Sequence, residues 1–197
     1  MIDRKNLHQG LSHAAWGYFF LTVDFNLGTV SIFPSFVGYL LFLSAIGKLK
    51  EERRDLALLR PLCILLASWS FLNWGASWFG GSIDGQALFL DLLIGAAGLY
   101  FQFQFLTDLA ALAETYQGEE QRLDVRLRRW RNVYVVLVTA VSVMSVFPQD
   151  LFSGQYAWVV LMPLGVTVCL AAFAIMKALF ELRKCVRGTT ETEPPSV

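Results

Sequence analysis

All sixteen lysines and arginines of this 197-residue chain fall in four segments, and those segments alternate with apolar runs. Arg4 and Lys5 precede the first run. Five basic residues lie within residues 48–60 and five within residues 108–131, while Lys177, Arg183, Lys184 and Arg187 follow the last run. The three short loops between them hold no Lys or Arg, only Asp24, Asp84 and Asp150 near the helix ends. Basic residues are kept on the cytoplasmic side of a membrane, so this pattern puts both termini and both long connectors in the cytoplasm and three short loops outside. Composition agrees, since 16% of residues are charged against roughly a quarter in ordinary soluble domains. The expected fold is all-α: a polytopic bundle of six transmembrane helices in three hairpins, multi-pass in the plasma membrane.

The apolar runs cover about residues 7–25, 34–48, 61–79, 86–106, 133–147 and 156–176. They make one membrane domain over residues 1–188. The tail, residues 189–197, has nothing to pack and is expected to be disordered. Pro34 and Pro61 open the second and third runs, where a proline sacrifices no helical hydrogen bond. The second and fifth runs are only about 15 residues, short of the ~20 that a spanning helix needs. Snorkelling lysines and helical extension into the connectors cover the gap, and a re-entrant first hairpin is the alternative. The opening MIDRK imitates a signal peptide, but no small-residue cleavage site follows, so the first helix is read as retained.

Within the fourth run, Asp91, Gly95, Gly98 and Gln102 are spaced by four, three and four residues and form one stripe on a helix. A carboxylate facing lipid costs several kcal/mol, so the stripe should face other helices, with the glycines letting backbones approach. The first run repeats the spacing in His13, Gly17, Phe20 and Asp24, and runs the opposite way. If these two helices pack antiparallel, Asp24 and Asp91 would share a proton. Asn73 and Trp74 lie as far before the turn near Ser82 as Asp91 lies after it, about 13 Å deep at 1.5 Å per residue, and either can donate to Asp91. The candidate ligand or proton site is therefore Asp91, Asp24, Asn73, Trp74, Gln102 and His13. The plainer reading makes Asp91 an interhelical contact and His13 an interfacial residue.

Other features have structural readings. Trp69, Trp74, Trp78 and Phe79 cluster in the outer half of the third helix, where an interfacial belt accounts for Trp78 and Trp74 and an aromatic pocket is the alternative. Pro163 should kink the sixth helix. In the first connector Leu49, Leu56 and Leu59 are expected on the membrane surface. In the second, Leu123, Leu127 and Trp130 should insert into the cytoplasmic leaflet while Arg126, Arg128, Arg129 and Arg131 meet anionic lipid. These arginines lack a basic domain around them, so no nucleic-acid partner is expected. Asp24, Asn26 and Gly28 alternate as a calcium loop begins. Thr29 and Ser35, however, occupy the places of the required glycine and glutamate, which leaves a helix end with Asn26 or Gly28 in a left-handed turn.

The same stretch carries a resemblance. Asp24, Asn26, Gly28, Pro34, Gly38 and Tyr39 resemble the Asp-x-Asn-x-Gly and Pro-x-x-x-Gly-Tyr opening hairpin of uncharacterised multi-spanning membrane proteins of Gram-positive bacteria. Ser35 replaces an aspartate of that pattern. The resemblance covers about a tenth of the chain and implies a hairpin, with no activity attached.

No nucleophile elbow, His-Glu-x-x-His, Cys-x-x-Cys or phosphate loop is present, so no enzyme, cofactor or metal is expected. Cys63, Cys169 and Cys185 share no close spacing. The reading is a small-molecule or ion binding or transport subunit with its site in the outer half of the bundle. The alternative is a scaffold or regulatory partner acting through its cytoplasmic connectors, with a membrane-protein partner or a second copy.

Overall fold

The computed structural model describes residues 4–22, 26–27, 30–31, 34–79, 88–117, 122–146 and 157–191. Seven helices account for nearly all of them: α1 (Arg4–Thr22), α2 (Ser35–Leu49), α3 (Asp55–Leu58), α4 (Arg60–Trp78), α5 (Leu88–Tyr116), α6 (Leu123–Val146) and α7 (Ala157–Glu191). Between α1 and α2, β1 (Asn26–Leu27) pairs antiparallel with β2 (Val30–Ser31), Asn26 opposite Ser31. Asp24, Gly28, Asp84 and Asp150, and the turns expected near residues 80–87 and 147–156, lie outside the described residues.

The six long helices form a ring in chain order. α1 packs on α2 and α7, α2 on α4, α5 on α6 and α6 on α7, whereas α4 and α5 touch only sparsely. Two segments, Phe89–Tyr116 and Met162–Val186, are long and apolar enough to cross a membrane, and α2 is apolar but has 15 residues. Polar side chains dilute the helices that hold the other three expected spans. His8, Gln9, Ser12 and His13 lie in α1, Ser68, Ser70, Asn73 and Ser77 in α4, and a run of arginines at the start of α6.

Packing is dense at one end of the ring and loose at the other. Leu7 and Leu11, Ile46 and Leu49, Leu56 and Cys63, Phe105 and Leu109, Leu127, and Leu179 and Leu182 are all at or near zero exposure. They lie toward the N-termini of α1, α4 and α6 and the C-termini of α2, α5 and α7, which is the end that carries the basic residues. Toward the opposite end, no described side chain is buried in α4 after Ala67, in α5 before Gly98 or in α6 after Tyr134.

The basic end corrects the reading of the connectors. Leu49, Leu56 and Leu59 are buried in the core, as are Leu123 and Leu127, and Trp130 packs against them. None of these leucines is free to lie on or insert into a membrane surface. The reason is helical continuation. α5 runs on to Tyr116 and α6 begins at Leu123, so the second connector forms the base of an α5–α6 hairpin rather than a separate surface helix. A reciprocal clasp joins the two helices: the Gln117 amide donates to Asp124 at 2.7 Å and the Asp124 backbone N–H donates to Gln117 at 3.0 Å. That amide holds the Asp124 carboxyl below its ordinary range. Arg126 pairs with Glu181 at 2.6 Å and Arg128 with Glu114 at 2.7 Å. Arg131 donates to Thr107 at 2.7 Å and lies 4.1 Å over the Phe103 ring. Arg129 is exposed. α7 continues to Glu191 through Pro163, so residues 189–191 of the expected tail are helical.

Glycine fixes a close crossing of α1 on α2. A Cβ on Gly38 would lie 2.9 Å from the Gly17 carbonyl oxygen, and one on Gly17 would lie 2.8 Å from the Phe42 ring. α1 and α2 therefore meet backbone to backbone. A Cβ on Gly95 would meet nothing within 4 Å. Gly38→Ala should consequently destabilise the protein by about 1–3 kcal/mol, the usual cost of overpacking. Gly95→Ala should be neutral or stabilising by up to about 1 kcal/mol through helix propensity. Unfolding of both variants in mixed micelles checks this, and equal effects would contradict the crossing.

Candidate functional site

The loose end of the ring carries a half-open cavity of about 710 Å³ at the thin seam between α4 and α5. α5 presents Asp91, Gly95, Gly98 and Gln102 to it, the whole stripe that the spacing placed on one face. α4 contributes Leu66, Trp69, Ser70 and Asn73, also at helical spacing, and α2 adds Ser35 and Tyr39. Val138 and Ser142 of α6 and Leu21 of α1 complete the wall. Small residues make this volume. At Gly95 and Gly98 the nearest atoms stand at ordinary contact distance or beyond, so these glycines keep space open rather than bring two backbones together.

An aromatic cluster forms the floor from beneath, behind the lining residues Tyr39 and Gln102 rather than as part of the lining itself. Phe42, Phe101 and Phe105 are fully buried, with centroids 5.0 Å apart for Phe42 and Phe105 and 5.6 Å for the stacked pair Phe101 and Phe105. Tyr39 lies 6.2 Å from Phe101 and 6.4 Å from Phe42, joining floor to wall. Beside it, Gln102 hydrogen-bonds the buried hydroxyl of Tyr134. The cavity is thus closed toward the basic end by ring packing and one amide–phenol contact.

Polar groups collect above this floor. Asp91 is half-buried with its Oδ1 shielded from solvent. Gln102 is 8% exposed, and its Oε1 is buried with no hydrogen-bond partner among the described residues. The Ser35 and Ser70 hydroxyls share a hydrogen bond of 2.6 Å across the α2–α4 contact.

Three of the six expected site residues, Asp91, Asn73 and Gln102, meet in this cavity. Trp74 does not line it. It belongs to an aromatic ladder in which its ring is 5.3 Å from Phe36 and 5.7 Å from Trp78. His13 is used in packing: its Nδ1 lies 2.9 Å from the Ser44 hydroxyl, between α1 and α2. Asp24 lies outside the described residues. The antiparallel packing of the first and fourth runs, on which a proton shared by Asp24 and Asp91 depends, is not a close one among the described residues: Phe42 of α2 stands between Gly17 of α1 and the phenylalanines of α5. Ser70 and Tyr134 had no part in the sequence reading, whereas Ser35 and Tyr39 entered it only through the opening hairpin and Trp69 only as a belt or aromatic-pocket residue. The four-and-three spacing of Leu66, Ser70 and Asn73 was the available signal.

No protein-family model matches the chain, and no curated protein or solved structure matches it.

Phe42→Ala removes the ring shared by the α1–α2 crossing and the cavity floor. It should lower unfolding stability by about 3–5 kcal/mol, the range for deleting a buried phenylalanine. Chemical denaturation in micelles measures the loss, and a cost below about 1 kcal/mol, that of a surface change, would contradict the floor's assignment.

Proposed function

We propose that the chain is a six-span protein of the plasma membrane that binds a small molecule in the cavity between α4 and α5, as a binding or transport subunit. The observation that carries this reading is convergence. The chain's central polar stripe, which must avoid lipid, shares one cavity with Asn73, Ser70 and Ser35 from two other helices. Were these residues interhelical glue alone, their side chains would fill the space between helices, and Gly95 would have a neighbour.

Membrane placement draws support from the apolar exterior. Phe71, Leu72, Phe89, Leu93, Val136, Val166 and Leu170 are all exposed. Only 22% and 28% of the two most apolar helical windows are buried, whereas a helix crossing a soluble core is mostly covered. The basic residues supply orientation. With the packed, basic end in the cytoplasm, both termini are inside and the cavity opens toward the outside. Anionic lipid at Arg126, Arg128, Arg129 and Arg131 remains part of the proposal in a reduced form. Three of these four have intramolecular partners, and the arginines act without inserted leucines. The scaffold alternative would act through connector side chains that stay exposed, such as Leu58, Val125 and Arg129.

Cysteine accessibility tests orientation and cavity together. In a background in which Cys63, Cys169 and Cys185 are replaced, Gly95→Cys should react with an impermeant methanethiosulfonate reagent added outside intact cells, and Lys50→Cys only in inside-out vesicles. Labelling of residue 50 from outside would sink the topology. An inert residue 95 in folded protein would sink the outward-facing site.

A further inference from the structure

The chemistry of the cavity wall is one-sided. Its polar groups are the Asp91 carboxylate, the Gln102 and Asn73 amides, the Trp69 indole N–H and the hydroxyls of Ser35, Ser70, Ser142 and Tyr39, and no Lys, Arg or His lines it among the described residues. Asp91 is the one formally charged side chain in that lining. Gln102 adds a second, independent sign. It is more than nine-tenths buried at the cavity base, its amide nitrogen is engaged by Tyr134, and its Oε1 lacks a partner among the described residues. Buried acceptors are nearly always satisfied, and this oxygen, shielded at the cavity base, would take a donor from an occupant after a small turn of its side chain. Trp69 and Tyr39 line it, and aromatic rings attract a cation that sits over their faces. An anion would instead meet a carboxylate and a bare carbonyl oxygen with no countercharge.

A metal ion fits poorly. No group of three or more His, Cys, Asp and Glu residues suited to a metal occurs among the described residues, and a hard cation takes six or more oxygens in a tight shell. At about 710 Å³ the space is that of an organic molecule, and Leu66, Leu92 and Leu99 give it apolar walls.

We infer that the cavity takes an organic monocation, an alkyl- or arylalkylammonium. Its N–H groups donate to Asp91 and Gln102, and its apolar body rests against Trp69, Leu66 and Leu99. This inference rests on the reading of the cavity as a binding site and adds the charge and donor character of the occupant.

Three probes of similar size and different charge decide it: phenethylammonium, hydrocinnamate and phenethyl alcohol, titrated by calorimetry into the full chain in phosphatidylcholine nanodiscs, whose neutral headgroups concentrate neither ion. Phenethylammonium should bind more tightly than the alcohol, and hydrocinnamate should not bind. Asp91→Asn should weaken ammonium binding by about thirtyfold or more, as when one partner of a buried charge pair is removed. Should that variant fail to fold, Gly95→Phe serves, because it fills open space in the cavity and should abolish binding with Asp91 intact. Hydrocinnamate binding that matches the ammonium and is blocked by Gly95→Phe would overturn the charge assignment while leaving a small-molecule site. Ammonium binding unaffected by Gly95→Phe, or binding of none of the three, would overturn the inference itself. The outward labelling of residue 95 is read separately from all of these outcomes.

Discussion

The ring of Phe42 is the contact on which the rest of the bundle depends. It fills the notch that Gly17 leaves on α1, meets Tyr18 at 5.1 Å and Tyr39 at 6.4 Å, and packs on Phe101 and Phe105 of α5. One side chain thereby ties the α1–α2 crossing to the helix that bears the polar stripe. Below it the helices close on a continuous core of leucines and alanines. Above it the bundle opens, because α5 offers glycines and a carboxylate where α4 offers serines and an asparagine. The cavity is the consequence of a floor that packs and walls that do not.

Much of this organisation could be read from residue order, for physical reasons that also mark where the reading stops. Helical spacing says which residues share a face. It placed Asp91, Gly95, Gly98 and Gln102 together and toward other helices, and the cavity wall holds all four. Spacing does not say what the face meets. The identical pattern on α1 serves packing, with His13 on Ser44 and Gly17 against Phe42, whereas on α5 it lines a space. A glycine that admits a backbone and a glycine that leaves a void look the same in a sequence. The connectors show the complementary limit. Alternating leucines and arginines fit a surface helix in isolation, but α5 and α6 extend past the apolar runs, and Leu123 and Leu127 find a core there.

The distribution of charge gives the fold its functional direction. Cationic side chains gather at the packed end, where Arg126 and Arg128 pair with Glu181 and Glu114 and Arg183 donates to His8 at 2.7 Å. The open end keeps an acidic residue and hydrogen-bond acceptors within an apolar frame. In the proposed membrane placement this arrangement would favour a cation over an anion at the cavity.

The central claim is that the α5 stripe borders water while its neighbouring faces meet lipid or protein. Spin labels at residues 95, 93 and 105, with the protein in a bilayer, test it through collision with a water-soluble nickel chelate and with oxygen. Residue 95 should favour the chelate, exposed residue 93 should favour oxygen, and buried residue 105 should be shielded from both. A label at residue 95 that behaves like the one at residue 93 would put the stripe in lipid. One that behaves like the label at residue 105 would close the cavity and contradict the account.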